Sequence, residues 1–354
     1  MGDQHPEPAE PSTPTPSLAI VLVTYQRQEL LATLFNSFRQ MGEHPQHIVI
    51  VDNENSPQTQ ELAQALERDL PATAVHYAPQ QENLGGAGGF HAGVRLAYDL
   101  GATWMWLMDD DVAILPHALT HLRRWTRRVD RDLAEGVPLA QTFGVIQGQR
   151  LNFDGSPFYW QYRFWPRLGI PNPIAPRPFP PPTTTDDDGP HLPQARSMNT
   201  ACFEGGLFHR QVVETIGLPD ARFFIYWDDT VYGYLASKVT RPIVVSDLVL
   251  RRTRTLEHFK LGKVRKLNAT SDLARYHILR NRGHMGQYLR LHGDYIPAVF
   301  ALGTMLTLIK ELIRLTITRN VISGAREVLR GLRDARPVLR DPLWVPEPPV
   351  AKAP

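Results

Sequence analysis

The 354-residue sequence predicts an α/β domain with a mainly parallel sheet, followed by a helical C-terminal region. Three observations carry that prediction. Apolar runs of strand length alternate with segments whose apolar residues recur every three or four positions, and short loops join them. The first run, residues 18–24, is continuously aliphatic and β-branched, as suits a strand covered on both faces. From Asn268 onward the pattern is helical alone and rich in arginine.

Residues 1–17 are rich in Pro, Glu, Ser and Thr without apolar periodicity, which predicts a disordered tail. After the strand at 18–24, Leu30, Leu31, Leu34, Phe35, Phe38 and Met41 share one helical face. A strand at 47–51, a helix at 57–69 and a short strand at 74–77 follow, then a glycine-rich turn, a helix from about 88 to 100 and a strand at 104–108. A helix near 115–129 leads into mixed strands at 143–147 and 158–164. The Pro-rich segment 166–196 reads equally as a mobile functional loop or an insertion. Strand, helix and strand resume over 202–246 and close a domain of residues 18–250. Residues 251–340 form a basic, mainly helical region, and 341–354 a Pro-rich tail. No internal repeat is visible.

Composition excludes several classes. At 42% hydrophobic and 21% charged, the chain is neither collagenous, coiled coil nor wholly disordered. A net charge of +2 offers no overall electrostatic case for nucleic acid. Residues 251–340 nevertheless hold 19 Lys or Arg against 6 Asp or Glu, which suggests an anionic partner or surface. The single cysteine, Cys202, cannot form an intramolecular disulfide, and the N-terminus lacks a signal-peptide pattern; both predict the reducing cytoplasm. The longest uncharged apolar-rich stretch, 296–309, is too short for a spanning helix of about 20 residues and fits a buried or interfacial one.

In parallel α/β sheets ligands gather beyond the carboxyl ends of the strands, and the residues there are polar in a coherent way. They are Thr24 to Arg27, Asp52 and Asn53, Asn83 to Gly86, and Asp109, Asp110 and Asp111. Three adjacent carboxylates repel one another unless cations or donors compensate them, and Mg²⁺ or Mn²⁺ prefers carboxylate oxygens; such a metal would bridge a diphosphate. The other reading is a solvated turn capping the next helix. The glycines at 85, 86, 88 and 89 do not spell G-x-G-x-x-G, because His91 stands at the third position, and no P-loop occurs. They either let a ligand approach a helix N-terminus or serve tight helix packing. A second acidic pair, Asp228 and Asp229, follows the apolar run 223–227: one carboxylate could cap a helix while the other serves as general base. His258, in a basic strip, reads as a surface residue or a metal ligand.

The order V-T-Y-x-R, V-D-N, N-L-G-G-A-G-G-F, W-x-W-L-M-D-D-D, F-F-I-Y-W-D-D-x-x-Y-G-Y and a late H with Y-H-I-L-R-N-R resembles the inverting GT-A glycosyltransferases of family 2, over about residues 18–285. It is most similar to their galactofuranosyltransferase and rhamnosyltransferase-like branch. The resemblance implies a GT-A fold, the Rossmann-like mixed sheet of nucleotide-diphospho-sugar transferases. It further implies that Asp109, Asp111 and His258 hold a divalent metal, Mn²⁺ or Mg²⁺, with Asp110 beside the donor. Thr24, Arg27, Asp52, Asn83, Gly85 and Gly86 then line the nucleotide-sugar donor pocket. Asp229 corresponds to the catalytic base, with Asp228 its competitor, and Trp227, Gly205 and Gly206 to positions flanking the acceptor.

The expected donor is UDP-galactofuranose first and dTDP-rhamnose second. The expected acceptor is a glycan or a polyprenyl-linked sugar of cell-surface polysaccharide synthesis. A non-catalytic nucleotide-sugar-binding protein or a nucleotidyltransferase is the alternative. Nucleotidyltransferases of this architecture usually carry a glycine-rich basic loop after the first strand, where this chain has Tyr25, Gln26, Arg27 and Gln28. The 290–340 region, with its apolar stretch beside Lys310, Arg314, Arg319, Arg326, Arg330, Arg333 and Arg336, either lies on the inner face of the membrane or packs on the core or on a second copy in a homo-oligomer.

Overall fold

The first half of the chain alternates strand and helix: β1 (Leu18–Thr24), α1 (Gln28–Arg39), β2 (His47–Asp52), α2 (Pro57–Asp69), β3 (Ala74–Pro79), α3 (Gly85–Asp99), β4 (Trp104–Asp109), β5 (Val112–Ile114) and α4 (Ala118–Ala134). The computed structural model describes residues 16–158, 162–174, 177, 179, 194–255, 270–318 and 320–350, with the backbone of 258–261 and 264–268. Residues 1–15 of the expected tail at 1–17 and most of the Pro-rich segment at 166–196 therefore lie outside the described residues, whereas the Ser17 carbonyl accepts from Thr103 N and Trp104 N.

The second half adds β6 (Val145–Leu151), β7 (Pro157–Phe158), β8 (Phe164–Trp165), β9 (Ile170–Pro171), β10 (Ala195–Ser197), β11 (Gly206–His209), α5 (Arg210–Ile216), α6 (Asp228–Val239) and β12 (Ile243–Arg252). A backbone hairpin, β13 (His258–Leu261) and β14 (Val264–Asn268), precedes α7 (Asp272–Arg280), α8 (Arg282–Leu291), α9 (Pro297–Thr318) and α10 (Val321–Arg340).

The main sheet runs β10-β12-β6-β11-β4-β1-β2-β3. The β4-β1-β2-β3 half is parallel, as expected, and β11 enters antiparallel to both β4 and β6, so the sheet is mixed. β1 is aliphatic from Leu18 to Val23 because both its faces are covered. Leu18, Ile20 and Leu22 pack with α1 and α4, whereas Ala19, Val21 and Val23 pack with α3 and α5. α3 begins at Gly85, three residues before its expected start, because Gly86, Gly88 and Gly89 follow it in helical conformation. A Cβ on Gly93 would lie 2.4 Å from Val21 Cγ1, so the bare backbone lets α3 sit close on the sheet. Of the expected strand at 158–164, residues 159–161 lie outside the described residues; Phe158 ends β7, which pairs with β6, and Phe164 begins β8, which pairs with β9 through a turn made by Pro166 and the left-handed Gly169.

A third core cluster, with Phe223, Trp227, Tyr234, Ile278, Met285, Tyr288 and Phe300, fastens α6 and its preceding loop to the C-terminal helices. Residues 341–350 are bound to the fold and are no free tail: Trp344 packs edge-on against Tyr288, Arg222 donates to the Val345 carbonyl at 3.0 Å, and Val350 is buried. α9 turns Phe300, Gly303, Thr307, Glu311 and Leu315 inward, and leaves Leu302, Met305, Leu306, Ile309, Leu312 and Ile313 exposed. No helix among the described residues is long and apolar enough to cross a membrane.

Candidate active site

Parallel register sets the strand ends level. Thr24 lies opposite Asp52, and Val23 opposite Asp109, so three polar strand ends open on the same edge of the sheet. The triple aspartate divides its work. Asp110 is buried, accepts from the Thr24 hydroxyl at 2.8 Å and from Arg27 Nη1 at 3.0 Å, and so ties the end of β1 to the end of β4. Asp111 accepts from Arg254 Nε at 2.6 Å, and Arg27 lies 3.8 Å from it. Among the described residues Asp109 forms no ion pair. Burial, then the charges of Asp111, Glu204, Asp110 and Asp228, push its carboxyl well above the usual range. Asp109 and Asp111 present carboxylate oxygens, the ligand type that a hard divalent cation prefers. No group of three His, Cys, Asp or Glu able to hold a metal occurs among the described residues. His258 starts β13, and its side chain lies outside them.

On the nucleotide side Asp52 is fully buried; its oxygens accept from Glu54 N at 2.9 Å, Ser56 N at 2.8 Å and the Tyr77 hydroxyl at 2.9 Å. These bonds tie the end of β2 to the loop that follows it and to β3, and take up three of the roughly four lone-pair sites of the carboxylate. Asn83 is exposed and accepts from Gly85 N at 2.9 Å, while buried Asn53 donates to the Gly85 carbonyl at 3.0 Å. Gly85 itself is left-handed, and a Cβ there would lie 2.2 Å from the Phe224 carbonyl oxygen. Gly86 has open space around it.

That Phe224 contact brings the second acidic pair to the site. The loop before α6 holds Phe224, Tyr226 and Trp227 at φ of 60°, 69° and 70°, a region that costs a non-glycine residue about 1–3 kcal/mol. α6 then opens with Asp228 and Asp229, whose charges favour its N-terminal dipole. Burial, followed by the charge of Asp229, pushes Asp228 up to about 8. Burial also raises Asp229, against the hydrogen bonds from Thr230 and Cys202 and the charge of Arg150, which favour its anion. Burial and mutual charge thus disfavour ionising both carboxyls at once.

The three expected acceptor positions sit deeper than the sequence suggests. Trp227 is only 9% exposed and donates its indole N–H to the Ile278 carbonyl at 2.9 Å. Gly205 and Gly206 are buried where β11 leaves the 202–206 turn; a Cβ on Gly205 would meet Leu250 at 2.7 Å, and one on Gly206 the Cys202 carbonyl at 2.7 Å. They allow that turn to fold under the cleft. Beneath it lies an ionic group that no sequence pattern marked: Glu204 binds Arg150 at 2.7 Å and Arg252 at 2.6 Å, which holds its carboxyl below the usual range despite burial. Arg254 on Asp111 also went unmarked, since a basic residue in a basic strip carries no signal of its own.

Residues 19–177 match the model of glycosyl transferase family 2. The chain is 29% identical over 294 residues to galactofuranosyltransferase GlfT1 of Mycolicibacterium smegmatis, covering 77% of this chain and 84% of that protein. It is 28% identical over 224 residues to GlfT1 of Mycobacterium tuberculosis, covering 61% of this chain and 62% of that one. Among solved structures, S. aureus TarS 1–349 superposes with a TM-score of 0.55 at 12% identity, over 92% of this chain and 81% of TarS, a likeness of fold. The same TarS fragment in complex with UDP-GlcNAc gives 0.54 over 91% and 81%. The fold is that of the GT-A glycosyltransferases. More narrowly, the chain is a glycosyltransferase with a family 2 domain, homologous to the galactofuranosyltransferases GlfT1.

Proposed function

We propose that the protein is an inverting, metal-dependent galactofuranosyltransferase that moves the sugar of UDP-galactofuranose to a glycan or polyprenyl-linked acceptor of the cell surface. One observation carries the reading: the Asp109 to Asp111 turn and the Asp228–Asp229 pair come from strand ends and loops more than a hundred residues apart, yet Asp228 lies close enough for its charge to act on Asp109. Two acidic groups in one cleft suit the two ends of a displacement, one at the departing diphosphate and one at the attacking hydroxyl.

In this reading Asp109 and Asp111, with His258, hold the divalent cation, and Asp110 orients Thr24 and Arg27 toward the donor. The cation, when bound, neutralises charge on the departing nucleoside diphosphate. Gly85 and Gly86 bring the start of α3 close to the donor, with Asn83 at its rim. Asp229 takes the proton of the acceptor hydroxyl, because Thr230, Cys202 and Arg150 favour its anion, whereas Asp228 keeps its own proton. A single displacement with base and leaving group on opposite faces of the sugar inverts its anomeric carbon. The galactofuranose donor is favoured over dTDP-rhamnose by the kinship with GlfT1. The exposed apolar face of α9, beside the cations of α10, lays the enzyme on the inner face of the membrane where a polyprenyl acceptor resides.

The test is transfer from UDP-galactofuranose and from dTDP-rhamnose to a panel of octyl glycosides, with product configuration read by NMR. Metal-dependent transfer of galactofuranose with inversion is expected. Retention, or transfer of rhamnose alone, overturns the assignment.

A further inference from the structure

The five residues before the Asp228–Asp229 pair follow a path that their own side chains disfavour. Three bulky residues, Phe224, Tyr226 and Trp227, occupy the left-handed region, and such residues persist there only where the surroundings over-determine them. The left-handed residues also turn neighbouring carbonyls toward one point, where their dipoles repel. The group that answers both demands comes from the C-terminal helices. Asn281, fully buried between α7 and α8, donates from Nδ2 to the carbonyl oxygens of Phe223 at 2.7 Å, Ile225 at 2.9 Å and Tyr226 at 3.0 Å. Two N–H bonds thus serve three carbonyls.

The amide cannot turn round without losing a partner. Arg280 Nη1 donates to Asn281 Oδ1 at 3.0 Å and also to the Arg222 carbonyl, so the oxygen faces a cation and the nitrogen faces the loop. Two neighbours on α7 tighten the same grip: the Ile278 carbonyl accepts from Trp227, and the His277 ring stacks on Phe224 at 4.9 Å. From the opposite side the Phe224 carbonyl accepts from Ala87 N at 3.0 Å, at the start of α3. The loop is therefore held between the α3 N-terminus and the 277–281 segment.

We propose that Asn281 is a positioning residue for the transfer reaction: its amide locks residues 223–227 in the left-handed path that sets the Asp228 and Asp229 carboxylates against the aspartates beyond β4. The proposal rests on the reading of that pair as the base. It assigns to the helical C-terminal region a part in the chemistry, through one side chain that touches no reacting atom.

Two variants test it. Asn281→Asp keeps the shape and removes the donor, and Asn281→Ser keeps one donor without burying a charge. Hydrogen exchange, which needs no substrate, is expected to run at least about tenfold faster at amides 223–230 in both, with protection in α3 and α10 unchanged. In turnover of UDP-galactofuranose with octyl glycosides, kcat is expected to fall about 100-fold for the Asp variant and about tenfold for the Ser variant, the scale of an ångström-sized misplacement. UDP affinity by calorimetry stays within about twofold. Unchanged exchange at 223–230, wild-type kcat despite faster exchange, or a uniform loss of protection, UDP binding and kcat together overturns the positioning role. A wild type without turnover overturns the activity reading and the catalytic part of this proposal with it, while the exchange result still decides whether Asn281 holds the loop.

Discussion

Gly85→Ala tests whether the donor loop and the base loop are sterically locked. The new Cβ would lie 2.2 Å from the Phe224 carbonyl oxygen and 2.8 Å from its carbon. An ordinary carbon–oxygen contact is about 3.2 Å or more, so the two backbones must part by about 1 Å. The oxygen cannot rotate aside, because it accepts from Ala87 N at 3.0 Å. Alanine at φ +68° adds about 1–2 kcal/mol of its own strain. Phe224 stands four residues before Asp228, and a displacement of about 1 Å at a reacting group costs about 100-fold in rate, close to 2.7 kcal/mol. Gly101→Ala is the matched control, since Gly101 stands at φ +83° and a Cβ there meets nothing within 4 Å. Initial rates of UDP release from UDP-galactofuranose should therefore fall about 100-fold for Gly85→Ala and less than about threefold for Gly101→Ala. Equal damage in both would mean that backbone strain alone is at work, and near-wild-type rates for Gly85→Ala would refute the steric lock.

Other expectations follow from the same structure. Glu204→Gln removes the carboxylate charge that Arg150 and Arg252 share in a buried ion-pair group, a loss of about 3–5 kcal/mol that a denaturant melt would register. Asp228 binds its proton more tightly folded, at about 8, than unfolded, so its contribution to stability is largest at low pH and is lost as pH rises from the ordinary carboxylate range through 8. The metal-free wild type should lose about 1.4 kcal/mol per pH unit across that window, and Asp228→Asn should flatten the slope; an identical slope in both contradicts the assignment. The α9 face predicts that Leu306→Glu with Ile309→Glu abolishes co-sedimentation with anionic vesicles while the melting temperature holds, because both side chains are exposed.

The sequence was legible where local pattern and global environment agree. The continuous run 18–24 announced a strand covered on both faces, and apolar runs of strand length with period-3.6 signals between them placed β1 to β4 and α1 to α3 within a few residues. Because those strands are parallel and in register, the polar residues after them had to share one edge, and Thr24, Asp109, Asp110 and Asp111 could be grouped before any coordinates existed. What could not be read was direction and commitment. The strand expected within 202–246 carried no sign that β11 would insert antiparallel between β4 and β6. Asp52, Trp227 and the 205–206 glycines looked like pocket residues, yet their polar groups are spent inside the fold on partners such as Tyr77 and Ile278. Asn281 stands in the Y-H-I-L-R-N-R motif, 58 residues from Phe223, yet the motif pointed to no role for it, because that role arises only when α7 meets the loop.

The central claim is that the acidic turn beyond β4 is a metal-assisted donor site. The most direct measurement is calorimetric titration of UDP and of dTDP, each with and without Mn²⁺, into the wild type and Asp111→Ala. The account predicts UDP binding that requires Mn²⁺ and is lost in the variant, with dTDP weaker. Binding indifferent to Mn²⁺ and to Asp111, or no binding of either nucleotide, would reduce the turn to a tie between β1, β4 and Arg254, and would contradict the account.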